Sequence, residues 1–421
     1  MVKDGYKQSD VGLIPKDWEV KEIGDICHIF GRIGFRGYTV NDIVTEDKGV
    51  ITISPSNIVN NTTNFDKCTY ISWFKYEESP EIKIFNGDIL IVKTGSTVGK
   101  TAIVNNLRRE ATINPQIVVL KKIKIDNFYL GYLAGYKDFQ NNISRTIVGG
   151  AIPTLSQKQI ASYKIPIPPK EEQKAIAKAL SDTDELISSL EKLISKKEAI
   201  KQGTMQQLLT GKKRLSGFSG EWEEKSIKDL VSTPVTDGPH ETPKFLEQGI
   251  PFLSVNNLVN NKIDLTDLRY ISKDYDLICS RKCKPQKFDI LLGKAASVGK
   301  VAIVKDDIDF NIWSPIALIR IREDKLPLFF YYAFQTKYIL SQIELLTNSS
   351  SQVNIGMGDI EKLKFKFPFD IKEQQAIAQI LSDMDNEIES LKSKLSKTKA
   401  IKDGMMSELL TGKTRLKVKD E

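Results

Sequence analysis

EQKAIAKALSDTDELISSLEKLISKKEAIKQGTMQQLLTGKKRL, from Glu172 to Leu215, decides the architecture, because it returns as EQQAIAQILSDMDNEIESLKSKLSKTKAIKDGMMSELLTGKTRL from Glu373 to Leu416. Aligned without a gap, 26 of 44 positions are identical, so the chain is a tandem duplication. In the first copy Ile176, Ala179, Leu180, Thr183, Leu186, Ile187, Leu190, Leu193, Ile194 and Ile200 fall at spacings of three and four. They draw an apolar stripe along a helix, with Lys, Glu and Ser opposite. The second copy keeps Ile377, Ile380, Leu381, Met384, Ile388, Leu391, Leu395 and Ile401 in matching places. At about 1.5 Å per residue, Glu172 to Ile200 makes a rod of roughly 45 Å, or about 55 Å if it continues through Leu209. Such a stripe is too long to bury within a small domain. The economical arrangement is an antiparallel coiled coil with a pseudo-two-fold axis, Ile176, Leu180, Ile187, Leu190 and Ile194 facing Ile377, Leu381, Ile388, Leu391 and Leu395. The alternative is that each helix packs on its own domain. Gly203 and Gly404 are expected to mark kinks or breaks near the helix ends.

Weaker echoes fill the rest of the chain at nearly the same offset. Trp18-Glu19 is repeated as Trp222-Glu223, GVITISPSNIVNN (Gly49 to Asn61) as GIPFLSVNNLVNN (Gly249 to Asn261), and Asp88-Ile89-Leu90 as Asp289-Ile290-Leu291. Short runs rich in Ile and Val, such as Asp88 to Val92, Ile117 to Leu120, Ile290 to Leu292 and Ile316 to Ile319, read as strands. One helical stretch, Phe128 to Ile143, recurs as Leu328 to Ile343. The fold class is therefore α+β: two similar globular domains at residues 1–168 and 216–368, separated by helical regions at 169–215 and 369–421. Within one chain the helices have stayed alike while the domains have drifted. The helices do one shared job, and the domains do different versions of another.

The bulk numbers narrow the class. A chain of 421 residues exceeds one ordinary core. The polar start MVKDGYKQSD lacks a signal peptide's pattern and no stretch is long and apolar enough to span a bilayer, so a cytoplasmic protein without a membrane partner is expected. Four cysteines are too few for a disulfide scaffold, and the Cys279–Cys283 spacing has no second pair to make a zinc site. A formal charge of +7 permits a nucleic-acid partner without demonstrating one.

Gly95 to Thr101, GSTVGKT, resembles a phosphate-cradling P-loop but departs from it. Three residues rather than four separate its glycines, a strand-like TAIV follows, and the second copy, KAASVGKV, lacks the first glycine. What remains is a hairpin-like loop with Lys93, Thr94, Ser96 and Lys100 in one copy and Lys294, Ser297 and Lys300 in the other. These suit phosphate contact or form a plain solvated turn. Arg32, Arg36 and Arg145 in the first domain, and His240, Lys244 and Arg281 in the second, sit in polar or Gly/Pro-rich stretches that could reach base edges of DNA. Asn57 and Asn257 match between copies, which favours a shared structural turn. No adenine-methylation signature, methyl-donor loop, nucleophile elbow or zinc-protease motif is present, so no catalytic or metal residue is assigned.

The chain resembles the specificity subunit of type I restriction-modification enzymes. The likeness rests on G-x-I-P-x-x-W-E (Gly12 to Glu19), the P-x-x-E-Q lead-in (Pro169 to Gln173), and M-x-x-L-L-T-G-K-x-R-L at Met205 to Leu215 and again at Met406 to Leu416. The D-I-L strand with its V-G-K loop also belongs to the pattern. The second copy departs at Gly220-Glu221-Trp222, which lacks the I-P, and at FPFDIKEQ. The resemblance implies two target-recognition domains, each binding half of a split asymmetric site on double-stranded DNA. It implies two modification subunits docked on the helices and domains, bringing S-adenosylmethionine and adenine-N6 methylation. It further implies restriction subunits adding ATP-driven translocation and cleavage, with their Mg and ATP, and no active site in this chain. Alternatives from other classes are a self-contained NTPase or nuclease and a coiled-coil scaffold that does not touch DNA.

Overall fold

A computed structural model describes residues 4–147, 153–347 and 353–416. It divides into two compact units, Met1–Leu190 with Lys394–Glu421, and Glu191–Ser393. Each unit thus holds one globular domain, the start of its own long helix and the end of the helix from the other repeat.

In the first unit a six-stranded sheet runs His28–Gly31, Ile117–Lys121, Ile89–Val92, Thr101–Ile103, Thr62–Thr63 and Ile58–Val59. A four-stranded sheet runs Ala111–Ile113, Gly49–Ile53, Thr69–Ser72 and Ile43–Val44. Side chains alternate across a strand, so Ile89, Ile91, Val118 and Leu120 enter one core with the helices. Leu90, Val92, Ile117 and Val119 enter the other, against Ile51, Ile53 and Ile113 of the smaller sheet. A sheet covered on both faces explains why these strands read as unbroken apolar runs. The second unit repeats the plan with sheets of four (Thr236–Asp237, Ile316–Ile319, Ile290–Gly293, Val301–Ile303) and three strands (Arg269–Ile271, Ile250–Leu253, Asn311–Ile312). There Ile290 and Leu292 face one core and Leu291 the other. The expected single helix of the first domain is two, Asn127–Gly135 and Lys137–Thr146, bent at Tyr136, which has an extended backbone; its counterpart is Pro327–Phe334 and Lys337–Leu346.

The paired asparagines make the same turn twice. Asn57 Nδ2 donates to the carbonyls of Asn64 and Lys67, and Asn257 Nδ2 to those of Asp264 and Asp267. Asn60, Asn61, Asn260 and Asn261 turn the chain with positive φ. That conformation suits asparagine better than other non-glycine residues.

The long helices are Lys170–Leu208 and Ile371–Leu409, each 39 residues. Gly203 and Gly404 do not break them, contrary to expectation. A helical glycine costs up to about 1 kcal/mol, but the next turn buries Met205 and Leu208 in one case and Met406 and Leu409 in the other, which offsets it. Neither packing alternative holds alone. Ile176, Ala177 and Leu180 sit in the core of the first domain together with Met406, Leu409 and Leu410. Ile377, Ala378 and Leu381 sit in that of the second with Met205, Leu208 and Leu209. So each helix starts on its own domain and is covered there by the tail of the other. Leu190, Ile194 and Ile388 are buried, Ile187, Leu391 and Leu395 half-buried. Leu186 and Leu193, placed in the stripe by spacing, are 43% and 38% exposed.

Within each unit the helix segments run antiparallel. In the first, Asp184 meets Lys402 at 2.7 Å and Thr183 lies 3.6 Å from the Met405 sulfur. In the second, Lys201 meets Asp385 at 2.5 Å and Lys197 meets Glu387 at 2.6 Å. A tyrosine from the domain completes each pair. Tyr132 donates to Asp184 at 2.9 Å and Tyr332 to Asp385 at 2.8 Å. Lys402 and Lys201 lie over those same rings, at 5.6 and 5.5 Å. Burial first, then the aspartate, holds both tyrosine hydroxyls well above their usual pKa.

Candidate nucleic-acid interface

The sequence shared by the repeats builds a clasp. In the second unit Arg214, from the TGKxRL tail, forks onto Glu373, with Nε and Nη2 at 2.6 and 2.7 Å from its two oxygens. In the first unit Arg415 does the same to Glu172 at 2.6 and 2.8 Å and also binds Asp17 at 2.9 and 2.8 Å. Arg415 holds the Asp17 carboxyl below its ordinary value by hydrogen bonding. The glutamines that follow are spent on the backbone. Gln173 Nε2 donates to Pro168 O and its Oε1 accepts from Asp126 N, while Gln374 links Pro368 O and Leu326 N. Glu, Gln and Arg are therefore shared because they close each unit.

The residues that differ gather at the sheet end beside the glycine turn. In the first unit, Lys93 N donates to Gln116 O, Leu155 N to Lys93 O, and Gly95 N to Pro153 O. This brings the turn, Gln116 and the 153–157 segment together. Gly31 stands there without a side chain: a Cβ would lie 2.9 Å from Gln157 Nε2 and 3.7 Å from Lys93 Nζ. Gly95 has φ +107°, which favours glycine. The P-loop reading fails in the fold as well, since Gly95 to Thr101 joins antiparallel neighbours Ile89–Val92 and Thr101–Ile103 and no helix follows. Ser96 and Lys100 are exposed on this turn; Thr94 bridges Thr154.

Arg32 does not reach the surface as expected. It is 5% exposed, donates to Ile113 O, Arg36 O and Thr112 Oγ1, and burial pulls its guanidinium below the ordinary value. It braces the Ile33–Tyr38 loop from inside, and Arg36 lies 3.7 Å from Glu81. Arg145 is exposed but lies elsewhere, in a groove lined by Asp10, Asn141, Asn142, Lys164 and Thr411.

The second unit fills the same place with charge. Asp237 pairs with Ala317 as Gly31 pairs with Val118, and Ala317 and Val118 pair in turn with Leu292 and Ile91. The Asp237 carboxylate is fully buried and takes Lys282 at 2.6 Å and Lys294 at 2.7 Å, with His240 Nε2 at 3.2 Å. Burial alone would raise its pKa, but hydrogen bonds from Lys282 and Lys294 outweigh that and hold it below the ordinary carboxylate value. Lys294, expected to be free for phosphate, is thus locked inside, 8% exposed, because a buried carboxylate needs its charge. Ser297, Lys300, Lys244 and Arg281 are half-buried or exposed, and no ion pair joins them to this cluster. Reading by residue type passed over Gln116, Gln157, Asp237 and Lys282. The match of Gly31 with Asp237 is one of strand register: aligned from Trp18 and Trp222, the sequences set Gly31 against Val235 and Asp237 against Ile33, so the repeat alone carried no signal for it. Cys279 and Cys283 are buried free thiols, and among the described residues no cluster could hold a metal.

One frame built twice, each time presenting a different polar cluster at the same sheet end, defines a duplicated recognition protein. Residues 15–202 and 219–399 match the family described as the type I restriction modification DNA specificity domain. The putative type I restriction enzyme MjaX specificity subunit of Methanocaldococcus jannaschii is 29% identical over 437 residues, covering 99% of this chain and 98% of that one. The MjaVIII specificity subunit of the same organism is 27% identical, covering 99% and 97%. The fold matches the solved type I restriction-modification S subunit from M. genitalium with a TM-score of 0.59 at 17% identity, over 93% of this chain and 96% of that one. A chain from a structural study of assembly and conformational transition of the type I system gives 0.57 at 16% identity, over 95% and 99%. The chain belongs to this family, as a type I DNA specificity subunit with two recognition domains.

Proposed function

We propose that each globular domain reads one half of a bipartite, asymmetric site on double-stranded DNA, and that the two long helices set the spacing and dock two modification subunits. The chemistry then belongs to the partners: S-adenosylmethionine and adenine-N6 methylation to the modification subunits, ATP and Mg to restriction subunits. The setting is cytoplasmic; no helix among the described residues is long and apolar enough to cross a membrane.

One observation carries the docking half. Ala199-Ile200-Lys201 and Ala400-Ile401-Lys402 are identical in the two copies. The isoleucines are 44% and 58% exposed, and both alanines are exposed too. The fold does not need these apolar groups at the surface, so their identity fits a shared external partner. The reading half is supported by the contrast between Gly31 and Asp237.

Exchanging residues 227–363 for the same segment of a relative with another target, co-expressed with the modification subunits, should alter one half-site in the methylated motif and leave the other. An unaltered motif would reject the reading. Separately, Ile200→Asp and Ile401→Asp should lose modification subunits on co-purification while the chain stays folded. Inserting four residues after Lys192 and after Ser393 should lengthen the spacer, since each helix gains about one turn, roughly 6 Å. A spacer that does not change would show that the helices are no ruler.

A further inference from the structure

The Asp237 cluster goes beyond a generic basic patch. Lys282 and His240 are exposed, with side chains 53% and 68% accessible, while Lys294 and Asp237 beneath them are 10% and 0%. Ser314 fixes the histidine from the side: its Oγ lies 3.0 Å from Nδ1 and 3.4 Å from Asp237 Oδ2. The backbone of the same serine donates to Pro239 O at 3.1 Å, tying the loop down. Gly238 packs its backbone directly against that of Ile312, leaving no room for a side chain: a Cβ there would lie 1.8 Å from Ile312 O. Asp237 and Ser314 thus take both ring nitrogens of His240, and the exposed donor with protons to spare is the Lys282 ammonium, oriented by a buried acceptor.

A phosphate clamp is the less fitting use. A buried carboxylate directly beneath the donors repels a phosphate and cancels one of the two lysine charges. A contact independent of sequence would also have no reason to differ between copies, yet here one copy has Asp237 and the other Gly31. Among the described residues no carboxylate pairs with Lys93. What differs between the copies is the part that reads different sequences.

We infer that Lys282, aligned by Asp237, reads the acceptor edge of a guanine in the half-site bound by the second unit, with Asp237 and His240 positioning residues. Guanine offers two adjacent acceptors, N7 and O6, in the major groove, which the two ammonium protons of Lys282 not spent on Asp237 match. The inference rests on the proposed DNA-reading role of the domains.

Lys282→Ala, His240→Ala and Asp237→Asn, each co-expressed with the modification subunits, would be compared by sequencing methylated adenines across a genome. The expected result is loss of preference at one guanine of one half-site, about tenfold, with the other half-site and the spacer unchanged. Lys282 and His240 are exposed and Lys294 still compensates Asp237, so the first two variants keep the fold. An unchanged motif, whether methylation stays full or falls evenly at all sites, would overturn the inference; an even fall with a shallower salt dependence would assign the cluster to phosphate. The 227–363 exchange serves as the control. If it also leaves the motif unchanged, the DNA-reading assignment has failed and not merely this cluster.

Discussion

Replacing Arg214 by methionine should destabilise the second unit by about 3 kcal/mol. Glu373 is 1% exposed, and both its oxygens are held by the Arg214 fork. Breaking a buried ion pair from one side costs about 3–5 kcal/mol, because the remaining charge stays desolvated. The Arg214 side chain is 28% exposed, so water entering the gap places the cost near the lower end, about 3 kcal/mol. The first unit offers an internal comparison. Glu172 also accepts from Trp18 Nε1 at 3.0 Å, whereas Trp222 Nε1 is buried without a partner among the described residues. Arg415→Met therefore leaves its carboxylate one donor and should cost less, about 2 kcal/mol. With a urea slope of about 2–3 kcal/mol/M, Arg214→Met should lower the midpoint of its unit by about 1 M. Hydrogen exchange of the 222–226 and 364–368 strands would follow that unit alone. The double variant Arg214→Met/Glu373→Met should recover much of the loss, since an apolar pair leaves no buried charge. A midpoint shift below about 0.2 M, or a double variant no more stable than the single, would refute the reasoning.

Gln374→Ala should cost the second unit about 2 kcal/mol, because a fully buried amide leaves Pro368 O and Leu326 N without partners; urea midpoints check this. Asp237 titrates below its ordinary value in the fold, so the stability it contributes is complete above about pH 4 and is lost as pH falls through the lower folded value. The gap in midpoint between wild type and Asp237→Asn should accordingly be wide at pH 7 and shrink toward pH 3; a constant gap would contradict the ion-pair account. Leu193→Ser should shift the midpoint by no more than about 0.5 kcal/mol equivalent, as a partly exposed side chain outside either domain core.

The frame was legible in the sequence because its cause is periodic. Leu180, Leu190, Ile194, Leu381 and Ile388 repeat on a helix, and the Ile and Val runs alternate onto two cores whichever residues fill them. What the stripe could not tell was which partner covers which turn. Leu180 and Leu186 look alike in spacing, but one meets Met406, Leu409 and Leu410 and the other meets solvent. The site was less legible, for an electrostatic reason. Arg32 and Lys294 carry the residue types expected at DNA, yet their charge is used inside, by Ile113 O and Asp237. The residue that organises the second cluster is an acid, which a search for basic residues passes over.

Because Met406, Leu409 and Leu410 complete the core of the first unit, the order of synthesis and the order of folding cannot coincide. At about 5–20 residues per second, the ribosome needs roughly 10–40 s to make the intervening Glu191–Ser393 segment. During that interval Ile176, Ala177 and Leu180 are without their cover, and Glu172 has no Arg415. The domain made first is finished last, while the second can close on the already emerged Met205–Arg214 tail as soon as its own helix has been made through Leu381. Nascent chains stalled before Lys394 are therefore the form most exposed to misassociation or chaperone capture, and a frameshift near the end of the gene would damage its beginning.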